Sequence, residues 1–531
     1  MASVLVVSEY HMLNTGYAIY YKNICEALHK AGHKVTELAS YGNENDPEHI
    51  AHAKKCPWDV FLNIPSAQNK EAWELYNEAK KTRFDADFCS WNFENVVLEC
   101  MPDVVIAIRD HWYDKFIMDS PLAKYYKVIL SPTIDSRPQR YDWLHTFNQV
   151  DALTFYTKWS EDWAKTQLGQ SNIVEHIPVA PSPSFRLMNQ KMCRGKLGLP
   201  LKGKILLTVM RNQGRKHYPY LFEAFSQLED KSTMLYCHTH FEDKGWDLPK
   251  LLLRNGIANR VYFTYKCRGC SDISADIIKS DNKCKKCNAR KDICSVQDGV
   301  TTEDLNFVYN SADLYIQWHS SEGFGIPQIE AAACGLKVIT VDYSAAEDIA
   351  TKINSFPIGP LSLQVEMGTL CNRAIPDNNK LIKLLNDESS WIYNREETVA
   401  KLKSNYNWEE TGKKWVKLVE SLEPKNNWDD SPLLIEPPSF DKIKDLSNYN
   451  FVMACILNVT QDESLLGSVI HCESIEHLEN GKFIPEDRTS GIKGNIEKPV
   501  TKEMVYHRYF NLLQERIKWE RRKNASLSHQ N

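Results

Sequence analysis

"SSEGFGIPQIEAAACGLKVIT" (Ser320–Thr340) is the stretch on which the reading of this chain turns. Before it runs "DLYIQW" (Asp313–Trp318), a short apolar segment suited to a buried strand. "PQIEAAACG" then reads as a helix with proline in its first turn and Gly335 at its end. "KVITVD" from Lys337 returns as a strand. Strand, loop, helix and strand in this order form one unit of a parallel sheet. The loop at the carboxyl end of such a strand opens toward the functional crevice. Gly323 and Gly325 let a ligand approach the backbone there, and the amides that open the helix can receive phosphate. Glu330, about one turn inside the helix, can accept two hydrogen bonds from vicinal hydroxyls, and Glu322 can serve another hydroxylated part of the same ligand. A phosphate flanked by two hydroxyl-binding acids describes a sugar nucleotide.

Outward from this stretch the same alternation covers most of the chain. "SVLVVSEY", "KVTELAS", "DVFLNI", "DVVIAI", "KVILSPTID" and "DALTFYT" read as parallel strands of a first half, with "YYKNICEALHKAGH" a helix ending near Gly32. "HIPVAPSPSF" (His176–Phe185) is a proline-rich link. "KILLTVM", "STMLYCH" and "RVYFTYK" restart the series. The expected class is α/β, with two Rossmann-like doubly wound domains facing a cleft. The expected boundaries are 1–185 for an N-terminal domain and 186–405 for a second Rossmann-like domain. A long helix at 406–423 follows, and then a mainly helical extension at 424–531 with an apolar stripe at Tyr506, Phe510, Leu513 and Ile517.

Composition limits the partners. A net charge of −5 gives no global argument for nucleic acid or an anionic membrane, so any basic surface has to be local. No segment reaches the roughly 18 apolar residues of a membrane span. "MASVLVVSEY" reads as a first strand, not as a signal peptide, so a reducing cytoplasm is expected.

The sequence resembles the retaining GT-B glycosyltransferases of family 4. "EGFGIPQIEAAACG" looks like the signature of that family, in which two glutamates separated by seven residues flank a glycine-rich loop. The resemblance implies that Glu330 holds the nucleotide ribose and Glu322 contacts the donor sugar, with Gly323, Phe324, Gly325 and Ile326 lining the donor. "LLTVMRNQGRKHYPYLFEAF" is similar to the family's cation loop and implies that Arg211 and Lys216 neutralise the diphosphate leaving group, with Arg215 as an alternate. "NTGYAIYYKNICEALHKAGHKV" resembles its N-terminal glycine loop. Gly16 corresponds to the glycine whose amide faces the donor phosphates, although the family often has two adjacent glycines where this chain has Thr15-Gly16. The resemblance further implies retention of configuration, with the departing phosphate taking the acceptor proton. Where many members carry a histidine this chain has Thr133 and Asp135, and Asp135 becomes the candidate for hydroxyl contacts. Asp110 and His111, at another strand end, are acceptor-side candidates.

"CRGCSDISADIIKSDNKCKKC" sets Cys267, Cys270, Cys284 and Cys287 as two C-x-x-C knuckles separated by thirteen residues. This spacing suits a structural zinc ribbon at 266–295, with Cys294 as a spare thiol and no open position for catalysis. Lys279, Lys283, Lys285, Lys286, Arg290 and Lys291 make it basic.

The leading expectation is transfer of a sugar from a nucleotide sugar, UDP-linked by default and GDP-linked as the other option, to a hydroxyl acceptor. No catalytic metal is expected. The acceptor classes are a glycan, a lipid or a metabolite. A DNA glycosyltransferase acting on hydroxymethylated bases and a non-catalytic scaffold of the same fold are the alternatives. Oligomeric state is not legible in the sequence.

Overall fold

Val4–Val7 and Val104–Ile108 lie side by side in parallel with essentially no exposed surface, and around them the first sheet is built. The computed structural model describes residues 1–425 and Trp428, apart from Asn14, Gln170, Ser171, Glu242, Lys244, Ser280, Asp281, Val296 and Gln297. The stripe expected at Tyr506–Ile517 lies outside the described residues. The chain divides into two compact units. The first comprises Met1–Pro132, Tyr141–Leu153 and the described residues from Trp415, and the second comprises Thr133–Arg140 and Thr154–Lys414.

The first unit holds β1 (Ser3–Glu9), β2 (Lys34–Asn43), β3 (Asp59–Ile64), β4 (Val104–Arg109), β5 (Lys127–Pro132) and β6 (Ala152–Leu153). They pair in the order β3-β2-β1-β4-β5-β6, every pair parallel. That is the doubly wound order of a Rossmann sheet, in which both faces are covered and strands become apolar throughout. After β1 the helix Gly16–Lys30 is capped by Thr15, whose Oγ1 accepts from the Ala18 amide, and it buries Tyr21, Ile24, Cys25 and Leu28. Trp415 closes this unit by donating from its indole to the Tyr20 hydroxyl at 2.9 Å.

The second unit holds β7 (Ile205–Val209), β8 (Met234–His238), β9 (Val261–Cys267), β10 (Ile273–Asp276), β11 (Lys291–Ile293), β12 (Leu314–Gln317), β13 (Lys337–Val341) and β14 (Ser355–Ile358). Their order is β10-β9-β8-β7-β12-β13-β14. The strands from β9 to β14 along this path are parallel, while β10 and β11 both pair antiparallel with β9. Leu206, Phe222, Leu235, Phe263, Ile316 and Trp318 belong to one continuous core. A hairpin of β15 (Ser362–Val365) and β16 (Asn372–Ile375) follows. No helix among the described residues is long and apolar enough to cross a membrane.

Candidate functional site

β7 and β12 are neighbours, so the loops at their carboxyl ends emerge side by side. Two backbone bonds zip them together: His217 N–H donates to Trp318 O at 3.0 Å and Ser320 N–H to Arg215 O at 2.9 Å. This pairing sets Lys216 opposite His319 and carries the lysine to the first glutamate of the signature stretch. Lys216 Nζ donates to Glu322 Oε1, Arg215 Nη1 to Glu322 Oε2 at 3.0 Å, and Gln317 Nε2 to Oε1 at 2.5 Å. Glu322 is buried. Burial pushes its carboxyl up, but the Lys216 and Arg215 cations outweigh that and hold it well below the usual carboxylate range. Burial and the Arg215 charge bring Lys216 down to about 8 against the pull of Glu322.

Arg211 lies elsewhere in the same loop. Its Nε donates to Asp243 Oδ2 at 2.6 Å and its Nη2 to Oδ1 at 3.1 Å. Arg215 thus shares Glu322 with Lys216.

Asp135 joins this cluster because Thr133–Arg140 belongs to the second unit. Its carboxylate meets Arg373 Nη1 at 2.8 Å and accepts from Ser321 Oγ at 3.2 Å and Ser136 Oγ at 2.9 Å. Arg373 comes from β16 and also binds Glu366 at 2.9 Å. Thr133 explains why position 323 is glycine: a Cβ on Gly323 would fall 2.0 Å from the Thr133 methyl. Gly325 has φ +90°, left-handed, and begins the helix Ile326–Ala333 with Pro327 in its first turn. Ile326 is half-buried, and Phe324 is buried with its edge toward Tyr406.

Glu330 sits in a different environment from Glu322. It is buried on the helix and accepts from the Tyr309 hydroxyl at 2.7 Å. Among the described residues no cation pairs with it, and burial lifts its carboxyl to about 7. One glutamate is therefore a fixed anion neutralised by two cations, and the other stands near its titration point.

Besides Gln317, Tyr309 and Ser321, further residues join the site without a signal in the sequence reading. Arg373 is one. Ser344 is held at φ +61°, and its Oγ accepts from the Glu322 amide at 2.9 Å. Gln328 is fully buried against the Gly325 turn, and among the described residues neither of its side-chain polar atoms has a hydrogen-bond partner. A left-handed serine and an orphaned amide are visible only in three dimensions.

Gly16, Asp110 and His111 belong to the first unit. Gly16 is exposed at the first position of its helix. Asp110 Oδ1 accepts from the Tyr17 hydroxyl at 2.7 Å. His111 is buried among Trp112, Trp143 and Phe147, and burial lowers its imidazole to about 3, which leaves it neutral.

The two cysteine knuckles of the second unit have the same backbone. Ser271 N–H donates to Cys267 O and Asn288 N–H to Cys284 O, with Ser271 at φ +56° and Asn288 at φ +61°. The four sulfurs lie within 4.8 Å of one another, Cys267 to Cys287 at 3.3 Å and Cys270 to Cys284 at 3.7 Å. Four zinc–sulfur bonds of about 2.3 Å at tetrahedral angles would set them about 3.8 Å apart. Amides of Gly269 and Lys286 donate to Cys267 Sγ and Cys284 Sγ, as a thiolate cluster requires. The residues fit a closed tetrahedral ion. Cys294 is outside the group, buried on β9's flank with its amide bonded to Thr264. Some of the ribbon's cations pair with its own acids, Lys279 with Asp276, Lys286 with Asp272, and Arg290 with Asp292, but cations outnumber acids in this stretch. A second group, His11, Glu37 and Cys56, differs in that protein donors occupy its carboxylate, His11 Nδ1 at 2.7 Å and Trp58 Nε1 at 3.0 Å.

Residues 279–355, which span the second cysteine knuckle, β11, β12, the signature loop and β13, match the family described as glycosyl transferases group 1. Among solved structures, the chain is similar to a sucrose-phosphate synthase from Thermosynechococcus elongatus at 15% identity and a TM-score of 0.55, covering 78% of this chain and 98% of that one. It is also similar to the Anabaena protein HepE in complex with UDP and glucose, at 13% identity and 0.55, covering 80% and 100%. WaaG, a glycosyltransferase involved in lipopolysaccharide biosynthesis, is similar at 13% identity and 0.50, covering 79% and 100%. At such identities the likeness establishes the fold, which is GT-B. Among curated proteins no sequence matches.

Proposed function

We propose that this chain is a retaining glycosyltransferase that moves a sugar from a nucleotide sugar to a hydroxyl acceptor. One observation carries the reading: a fixed anion with two cations, Glu322 with Lys216 and Arg215, stands at the glycine turn that opens the Glu330 helix. The group 1 match over the same loop and the UDP and glucose of the HepE structure agree with it.

In this reading the amides at Gly325 and Ile326 and the cations Lys216 and Arg215 take the diphosphate, with Arg211 at the rim. Glu330 accepts the ribose hydroxyls, Glu322 the donor sugar, and Gly16 offers its amide to the phosphates. The bond from the anomeric carbon to the phosphate oxygen breaks, the acceptor oxygen bonds to that carbon on the same face, and its proton passes to the departing phosphate. Charge develops on the leaving oxygen, which is where the cations act. Asp135, held by Arg373, orients a donor or acceptor hydroxyl. Asp110 and His111 remain acceptor-side candidates. UDP is the first donor nucleotide to try and GDP the second. The four cysteines hold a structural zinc, whose chemistry is confined to stapling β9, β10 and β11.

A thermal-shift and titration panel of UDP- and GDP-sugars on the full chain tests the reading. Binding of one nucleotide series, followed by product with retained configuration, is expected. A folded sample that binds none of them favours a scaffold instead.

A further inference from the structure

The carboxyl ends of β2 and β4 in the first unit carry a run of aromatic rings that the donor chemistry does not use. Trp143 stacks on Trp112 with centroids 5.4 Å apart, Trp112 meets Tyr113 at 5.8 Å, Tyr113 stacks on Phe88 at 3.6 Å, and Phe88 meets Tyr41 at 5.6 Å. The run is exposed: Trp112 and Tyr41 each keep 39% of their surface, and Phe84, packed on Tyr113, keeps 73%.

Rings left in water by a folding accident would rest on ordinary backbone. Here the backbone is strained to hold them. Tyr41 has φ +63° at a register shift of β2, and Cys89, just after Phe88, has φ +78°. Non-glycine residues kept left-handed cluster at binding sites. A Cβ on Gly42 would fall 2.7 Å from the Leu62 side chain and 3.1 Å from the Ala39 carbonyl, so the chain beside Tyr41 is tightly packed. Beneath the run, the buried Arg109 guanidinium lies 5.7 Å from the Phe88 centroid, fixed by Asp114 and Ser40 at 2.6 Å each.

We propose that this shelf binds the acceptor and that the acceptor is a saccharide; the word acceptor rests on the transferase reading above. A pyranose presents a face of C–H bonds and a rim of hydroxyls. Its C–H face suits the negative face of an aromatic ring. Its rim suits carboxylates that already bind hydroxyls beside the shelf, Asp110 with Tyr17 and Glu9 with Thr15. Location agrees, since ligands of doubly wound sheets bind at the carboxyl ends of the strands. A nucleic acid would also stack, but its phosphates need cations. Here Lys80 pairs with Asp87, Arg83 pairs with Asp85, and Arg109 is buried.

Calorimetric titration of the full chain with maltohexaose, cellohexaose, laminarihexaose and mannohexaose, with no donor present, tests this. At least one saccharide should bind. Trp112→Ala should weaken it about tenfold and Trp112→Phe should restore most of the loss, while UDP affinity stays unchanged in both. Absence of binding by all four up to about 10 mM overturns the proposal. Equal saccharide affinity in wild type and Trp112→Ala overturns it as well. So does Trp112-dependent binding of a short single-stranded DNA in preference to every sugar. The UDP titration is scored separately: its failure removes the donor reading, while the saccharide titration still decides the shelf.

Discussion

Lys216 and Glu322 form a buried ion pair across two loops that are joined by backbone hydrogen bonds of their own. Neither charge has water to fall back on, so the pair is an electrostatic unit and not a surface contact. Removing one member of such a pair strands the other and costs about 3 kcal/mol or more. Lys216→Met is therefore expected to lower stability by about that amount in urea unfolding, and turnover by at least about 100-fold. Adding Glu322→Gln should recover part of the stability and none of the turnover, which a double-mutant cycle reads directly. Full additivity of the two substitutions would show that the pair is not coupled.

Arg215 and Arg211 compete for one role, and the geometry favours Arg215. Arg215 donates to Glu322 beside Lys216, while Arg211 is engaged with Asp243. Arg215→Met is expected to raise the dissociation constant of a nucleoside diphosphate about tenfold, and Arg211→Met by a smaller factor. Titration of both variants with UDP and GDP makes the comparison, and the reverse ranking would return the diphosphate to Arg211.

The signature stretch was legible because its information is local. A left-handed glycine, a proline in the first helical turn and a second glycine after the last are read from neighbours, and β12, Ile326–Ala333 and β13 follow them. The parallel strands up to β13 were legible for the same reason, as apolar runs suited to a covered sheet, whereas the short edge strand β14, with a proline inside it, was not read. The partners of Glu322 were not. Which arginine reaches it depends on the pairing of loops more than a hundred positions apart, and no spacing rule within one loop contains that. Arg373 arrives from a hairpin further on, and Asp135 is brought in because eight residues after β5 pack with the second unit. Exposed aromatics such as Trp112 carry no sequence signal at all, because surface is decided only by packing.

Glu330 predicts a pH dependence. Burial raises its carboxyl from the ordinary 4.5 to about 7. The folded protein therefore keeps a proton that the unfolded chain gives up. Stability from that proton is complete below 4.5 and is lost as pH rises through about 7. Ribose binding runs the other way, because the anion is the better acceptor of two hydroxyl hydrogens. Nucleotide affinity should rise between about pH 6 and pH 8 while the melting temperature falls. In Glu330→Gln this residue's share of both trends should vanish, with weaker binding throughout. Parallel titrations and melts at four pH values check it, and an unchanged slope in the variant would place the titration elsewhere.

The proposed zinc of the cysteine ribbon is expected to be separable from catalysis. β10 and β11 both lean on β9, and beyond those ladders two matched knuckles draw the ribbon's ends together. With zinc bound, four thiolates close the ribbon, and its loss should loosen the ribbon and leave the core around Phe222 and Trp318 intact. Metal analysis of the purified chain is expected to give one zinc per molecule, and Cys267→Ser to lose it. The variant should keep its far-ultraviolet circular dichroism and its nucleotide affinity within about twofold, while limited proteolysis cuts first between Cys270 and Cys284. Cys294→Ser should retain the metal, since that thiol stands outside the cluster. Zinc retained by Cys267→Ser would exclude the four-sulfur site. Zinc lost together with nucleotide binding would make the ribbon part of the donor site and not a staple beside it.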